Sequence, residues 1–499
     1  MDLRFDWYSE IDTDLFEPFI ERICNKFDEA RNSRGQSPAR RRETQLKEHT
    51  ATKQIIMALY SAYFTIPKAT SKISLPLTKS FYSGSTYSYQ AVKNVYDTLK
   101  ERNCVDIVKG IEDKGYTRIK AIGDLALEFD AIGFRWFPQK PNSSDSLIVL
   151  RNYESEESKK KITIPTPETD DVSRYKESLL AFNQFLIQHC VAFNLEDDQL
   201  EMLAQSMVNK AKKEAEEQPW ISEEDDQKIA YLDFSRIQLA RIFARGNMAL
   251  GGRFYRGWWQ SIPSLYRPHI TIDGKKTCEV DFAGMAIGIM YAEIGLQFPF
   301  EQDPYDVGLD NWQGKNDPRR KPIKRFFNAL INDETGRFRL DKEEQDIVGV
   351  SHRELRERVL ERHINISEKL MSGAGLETQF IDSEIASYVM LEMMNKGILV
   401  LPIHDSFIVR DGYENVLTET MLKAYNNFTG AKGGVSADYP RLPEHFGITN
   451  EEFQHEQDKL IKEPERGIFS VDDLAEGIVE KSSSLMDGYV GSWEKWRHS

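Results

Sequence analysis

Two apolar runs separated by three polar residues constrain this chain most tightly. Ile398-Leu399-Val400-Leu401-Pro402-Ile403 and Phe407-Ile408-Val409 flank His404-Asp405-Ser406. Short apolar runs around an abrupt polar break predict two strands joined by a tight turn. An aspartate in a hairpin turn is ordinary turn chemistry. Between strands this apolar, however, a carboxylate is costly to bury unless a cation or hydrogen-bond donors offset it. Asp405 is therefore the first candidate for a functional carboxylate, and the fold must contain a buried strand pair around it.

The chain has 499 residues, enough for two or three domains with their own cores. Its 40% hydrophobic and 29% charged residues are those of a globular protein. No run approaches the roughly 18 apolar residues of a membrane span, so no membrane partner is expected. Met1-Asp2-Leu3-Arg4-Phe5-Asp6 lacks the order of a secretory signal. Cys24, Cys104, Cys190 and Cys278 lie too far apart to suggest a metal knuckle or a disulfide framework, and a cytoplasmic location is expected. The net charge of −15 argues against coating nucleic acid by bulk charge. It leaves open a local basic path along which phosphates are gripped. Basic clusters occur at Arg31, Arg34 and Arg40 to Arg42, and again at Arg319, Arg320, Lys321, Lys324 and Arg325.

Along the chain, Leu15, Phe16, Phe19, Ile20, Ile23 and Phe27 recur at helical spacing, and the basic stretch from Arg31 to Thr50 reads as a linker. Ile55 to Phe64 is helical in pattern. Ser88 is placed to cap a helix carrying Val92, Val95, Tyr96 and Leu99 on one face. Val105 to Val108 and Tyr116 to Ile122 then read as a hairpin. Helices followed by a hairpin resemble a winged helix-turn-helix. That resemblance implies DNA contact by residues 88–120, with Lys109, Lys114, Arg118 and Lys120 on the wing. An ordinary small α/β unit with solvated lysines fits the same pattern. Residues 126–170 mix short strands with a polar linker at Ser155 to Lys161, residues 172–215 are helical, and the acidic stretch from Glu214 to Gln227 marks a boundary.

Beyond Ile229 two further motifs join Asp405. Thr277-Cys278-Glu279-Val280-Asp281-Phe282 reads as an apolar strand delivering Asp281, with a helix after it. A helix N-cap aspartate fits that segment alone equally well. Arg319 to Asn332 reads as a helix with Pro322 in its first turn and Arg320 and Lys324 four residues apart on one face. Its basic start and apolar body suit the wall of a cleft.

In order and spacing these three segments resemble motifs A, B and C of family A DNA polymerases and bacteriophage-type single-subunit RNA polymerases. Gly251-Gly252-Arg253-Phe254-Tyr255, Gln260-Ser261-Ile262-Pro263, Asp303-Pro304-Tyr305-Asp306 and the helix from Gly375 to Ala386 extend the likeness over about residues 240–430. The resemblance implies a mixed α/β (α+β) fold: a right-hand palm with an antiparallel sheet, and helical fingers. The divisions expected are a helical segment and basic linker (1–50), a winged-helix-like domain (51–130), a thumb-like connecting region (131–228), palm and fingers (229–435) and a C-terminal helical extension (436–499). Position by position, it implies that Asp281 and Asp405, with the main-chain carbonyl of Phe282, hold two Mg²⁺ or Mn²⁺ ions. Arg320 and Lys324 would contact the triphosphate, Arg319 standing in if the helix begins later. His404 would lie near the primer terminus, Arg253 and Gln260 against primer-template, and Gln379 facing the duplex. Trp258 and Trp259 are core residues or base-stacking platforms.

The chain departs from the family where the sugar is read. Ala286 stands where DNA polymerases of the family carry a glutamate that excludes the 2′-hydroxyl, and His-Asp-Ser resembles the RNA polymerases. Both point to tolerance of ribonucleotides. Asn332 and Asn328 replace bulky residues of the nucleotide-binding helix. The expected partners are nucleic acid, as primer-template, and nucleoside triphosphates, in a templated primase-like or gap-filling reaction. Three other readings stay open: a DNA-binding replication or regulatory protein with an inactive polymerase-like domain, a non-templated polymerase of a mobile element or defence system, and a two-metal nuclease.

Overall fold

The computed structural model describes residues 3–4, 17–32, 42–64, 72–77, 79–82, 88–108, 116–132, 147–155, 161–217, 232–234, 236–332, 338–438 and 484–498. Among these, no helix is long and apolar enough to cross a membrane. Helices and several small sheets are mixed throughout.

The first part of the chain builds a core of its own. It comprises β1 (Leu3–Arg4), α1 (Glu17–Asn32), α2 (Arg42–Tyr63), β2 (Ile73–Pro76), α3 (Tyr89–Glu101), β3 (Val105–Val108), β4 (Tyr116–Ala121) and α4 (Gly123–Ile132). The strands form one sheet in the order β1-β2-β4-β3, in which β3 and β4 are the expected hairpin and β2 joins β4 antiparallel. Ala91, Val92, Val95 and Leu99 of α3 face inward, as their spacing requires. Ser88 stands at the cap in extended backbone, but its side chain makes no capping hydrogen bond. Ile20, Ile23 and Phe27 of α1 join the core built by α2 and α3. Helix α2 already begins at Arg42, inside the stretch read from sequence as linker. Within it Glu48 is buried, and Asn94 Nδ2 donates to its Oε1 at 2.8 Å. Arg34, Arg40, Arg41, Lys109 and Lys114 lie outside the described residues, as does most of the stretch from Glu214 to Gln227.

The remainder builds a larger core and a smaller one drawn from residues between Ile287 and Leu370. It begins with β5 (Ile148–Tyr153), β6 (Lys161–Ile164), α5 (Asp170–Leu186), β7 (Val191–Phe193) and α6 (Asp197–Glu217). Then come β8 (Ala240–Ala244), β9 (Asn247–Tyr255), β10 (Ile270–Ile272), β11 (Thr277–Phe282), α7 (Met285–Glu293) and α8 (Arg320–Asn332). After α9 (Lys342–Val348) and α10 (His352–Arg362) follow α11 (Gly375–Asn395), β12 (Val400–Ile403), β13 (Ser406–Arg410), α12 (Glu414–Thr429), β14 (Val435–Asp438) and α13 (Ser484–His498). One sheet runs β6-β5-β8-β9, and β7 pairs antiparallel with β10.

The sheet that matters most runs β12-β13-β11-β14, with every neighbouring pair antiparallel. The antiparallel sheet expected around Asp405 is thus present, and β14 belongs to it across position 435, where the sequence suggested a boundary. Helix α11 lies against β9. Gly252 permits this approach: its φ is +79°, and a Cβ there would stand 2.8 Å from Ser383 Oγ and 2.9 Å from the Phe243 ring. Helix α8 buries Ile323, Phe326, Phe327, Leu330 and Ile331 against α7 and α10. Trp493 of α13 is buried in the larger core, and its Nε1–H donates to the Ile187 carbonyl at 3.3 Å. The side chain of Trp496 lies outside the described residues.

Candidate active site

Strand β11 alternates as a half-covered strand should. Cys278, Val280 and Phe282 are buried on one face, while Glu279 and Asp281 stand partly open on the other. Asp281 is directly opposite Ser406, the first residue of β13. The β12–β13 hairpin pairs Ile403 with Ser406, so His404 and Asp405 alone form its turn. The Phe282 N–H donates to the Asp405 carbonyl oxygen at 3.1 Å, tying the turn to the end of β11. Two aspartates 124 positions apart therefore meet at one end of the sheet. His404 has φ +58°, a conformation glycine adopts more readily, held here by the strands on either side.

Behind the turn, Arg253 of β9 reaches Asp382 of α11. Nε donates to Asp382 Oδ2 at 2.6 Å, and Nη2 pairs with the same oxygen at 2.6 Å. Burial pushes the Asp382 carboxyl up, Arg253 pulls it down, and the charge of Asp405 adds to the push. Burial also opposes the charge on Arg253, which Asp382 and Asp405 more than restore. The His404 imidazole packs edge-on against Tyr255, with ring centroids 5.6 Å apart. Burial and Arg253 hold it down at about 4, so it is neutral at pH 7. Asp382 Oδ1 and His404 Nδ1 are buried without a hydrogen-bond partner among the described residues. Such atoms are costly unless a polar ligand or water satisfies them.

The basic helix approaches from the other side. Arg320, Lys324, Asn328 and Asn332 recur every four residues along α8, and the last three are exposed. Arg320 Nε donates to Asp303 Oδ2 at 2.7 Å, and its guanidinium lies 4.9 Å from the Tyr305 ring centroid. Lys324 Nζ lies 5.9 Å from the same ring. Tyr305 is buried, and its hydroxyl records what surrounds it. Burial pushes it up, Arg320 pulls it down, and Asp405, Asp303 and Asp281 push it further up. The ring packs against both cations of the basic helix and feels the charge of both aspartates. Arg319 is not available as a substitute for Arg320: it grips Asp317 through Nε and Nη2 at 2.8 and 2.7 Å and stacks on Trp312.

The remaining candidates are placed unevenly. Phe282 is buried and contributes main chain only. Ala286 lies partly buried in the first turn of α7. Gln379 is half-exposed on α11, one turn before Asp382. Asn332 packs on Gly375, where a Cβ would meet its Oδ1. Gln260 commits its amide to the protein: Nε2 donates to the Phe254 and Pro402 carbonyls at 3.0 Å, and Oε1 accepts from the Gly257 N–H at 3.1 Å. Trp258 and Trp259 are fully buried, which removes the base-stacking reading.

Sequence reasoning missed Asp382 and the part played by Tyr305. The first carried a signal: a carboxylate among the buried positions Thr378, Ser383, Ile385 and Ala386 is unusual enough to imply a partner. Asp281 and Asp405 offer hard carboxylate oxygens, the ligands suited to Mg²⁺ or Mn²⁺. Mg²⁺ in particular is commonly held by one or two carboxylates plus substrate phosphates. Among the described residues, no three His, Cys, Asp or Glu side chains form a ready-made cage.

No protein-family model matches the chain, and no curated protein does. Among solved structures, the chain is similar to the POL domain of Pol1 from M. smegmatis, in complex with DNA primer-template and dNTP. That similarity has a TM-score of 0.34 and 12% identity, covering 78% of this chain and 82% of that one. At that level the superposition says nothing further about this chain.

Proposed function

We propose that this chain is a nucleotidyltransferase that extends a nucleic-acid 3′ end, with Asp281 and Asp405 holding divalent cations and α8 holding the incoming triphosphate. One observation carries the reading: two aspartates from distant segments meet at one end of an antiparallel sheet. Three nearby arginines are engaged by carboxylates: Arg253 by Asp382, Arg267 by Glu279 and Arg320 by Asp303. Two divalent cations held there would activate the attacking 3′-hydroxyl and take up charge on the departing pyrophosphate.

The chain's own groups supply the rest. Lys324 is exposed and presents its ammonium to the γ-phosphate side, where developing charge needs a fixed cation. Arg320, braced by Asp303 and Tyr305, offers a directed guanidinium to the same phosphates. His404, neutral, can hydrogen-bond the primer's terminal sugar without adding charge. Gln379 faces the duplex, and Arg253 holds the floor of the site through Asp382. Palm-and-fingers organisation, templated synthesis and tolerance of ribonucleotides belong to this proposal, the last because Ala286 stands in place of the glutamate that excludes the 2′-hydroxyl.

The winged-helix reading of the first core, with DNA met by α3 and the β3–β4 hairpin, is supported by the strand order β2-β4-β3 and by a helix directly before the hairpin. The test is extension of a labelled primer-template with Mg²⁺ or Mn²⁺ and either dNTPs or rNTPs. A ladder that Asp405→Ala reduces about a hundredfold or more is expected. DNA binding without incorporation in any lane would overturn the reading.

A further inference from the structure

Glu279 lies two residues before Asp281 on the same open face of β11. Its Oε1 accepts two hydrogen bonds, from Ser406 Oγ–H at 2.5 Å and from Arg267 Nη1 at 2.7 Å. Arg267 is fixed in turn, its Nε donating to the Ile262 carbonyl at 3.0 Å. Ser406 is both the exit residue of the His404-Asp405 turn and the cross-strand partner of Asp281. The turn itself is strained at His404 and needs restraint from its neighbours.

We propose that Glu279 is a positioning residue that sets the separation of Asp281 and Asp405 by strapping Ser406 diagonally to β11. The proposal rests on the reading that these two aspartates hold divalent cations. Glu279 is not itself a ligand in this scheme. Arg267 and Ser406 occupy the same oxygen, and the arginine offsets a third negative charge that would otherwise repel the other two. Groups that orient the ligands of a metal commonly govern its affinity by about 10- to 100-fold.

The experiment uses the full chain and two readouts: Mn²⁺ binding by electron paramagnetic resonance without nucleotide, and primer extension as a function of Mg²⁺. Glu279→Ala is expected to weaken Mn²⁺ about tenfold or more and to raise the half-saturating Mg²⁺ by the same factor. The nucleotide KM at saturating Mg²⁺ should stay unchanged. Glu279→Gln, whose amide oxygen still accepts from Ser406, should recover most of the loss. Ser406→Ala should match Glu279→Ala, and the double variant should be no worse than either.

Unchanged Mn²⁺ binding in Glu279→Ala overturns the proposal. So does loss in both Glu279 variants to the level of Asp405→Ala with Ser406→Ala unaffected, which would make Glu279 a ligand. Should Glu279→Ala fail to fold, Ser406→Ala decides, because it keeps the Arg267 pair intact; normal Mn²⁺ binding there overturns the strap. If the unaltered protein binds no Mn²⁺ that depends on Asp405, the cation reading itself falls and takes this one with it.

Discussion

Lys324 and Arg320 sit one turn apart on α8 yet should fail differently. Lys324 is exposed, so Lys324→Ala should leave the thermal midpoint unchanged. A charged hydrogen bond to phosphate is worth about 1.5–3 kcal/mol, so its loss should lower kcat/KM for nucleotide about 10- to 100-fold. Arg320→Ala should cost stability as well, because it strips Asp303 of its partner and Tyr305 of its stacked cation. Steady-state kinetics beside thermal melts separate the two. His363 gives a pH prediction. Its Nε2–H donates to the Pro304 carbonyl at 2.9 Å, next to Tyr305, and burial holds the ring at about 4. Unfolded, the same ring takes a proton below about pH 6.5. Stability is therefore full at neutral pH and falls as pH drops from about 6.5 to about 4, by about 2 kcal/mol between pH 7 and 5. His404 acts in the same direction. Urea midpoints at pH 7 and 5 should differ less in His363→Phe than in the unaltered chain. At this scale Asp405 was legible because its oddity is local, a carboxylate between apolar runs. Asp382 and Tyr305 were not, because what gives them meaning comes from afar: Arg253 is 129 positions from Asp382.

Elements were legible where one face is apolar and the period is clean, as in α3, α8 and the β12–β13 hairpin. They were hidden where tertiary contacts rescue polar sequence. The stretch before Thr50 reads as linker until Asn94 meets Glu48. Strand β14 is too short to announce itself and exists because β11 offers an open edge. The crossing of β9 and α11 yields the sharpest element-level prediction. Gly252→Ala adds a methyl group against Ser383 and Phe243 in backbone that disfavours side chains. It should cost about 1–3 kcal/mol, read by urea unfolding. It should also loosen the Arg253–Asp382 contact next door, so extension should fall with stability.

For the whole molecule, the buried residues from Ile20 to Phe129 form one core, and those from Leu147 to Trp493 form a larger one and a smaller one around α8. Unfolding should therefore show more than one transition, and Leu99→Ala should lower only one of them, by about 2–5 kcal/mol. Calorimetry checks this, and a single cooperative transition shifted as a whole would contradict it. The fastening of α13 has a consequence for how the protein is made. The first core draws only on residues near the start of the chain, so it can close while the ribosome is still working. The larger core cannot. Trp493 packs into a core whose first strands were translated hundreds of residues earlier, and its indole seats against Ile187. Until α13 emerges, that apolar surface stays uncovered. The nascent chain should therefore engage chaperones until α13 has been made, and ribosome-bound chains lacking α13 should remain open to proteases that spare the first core.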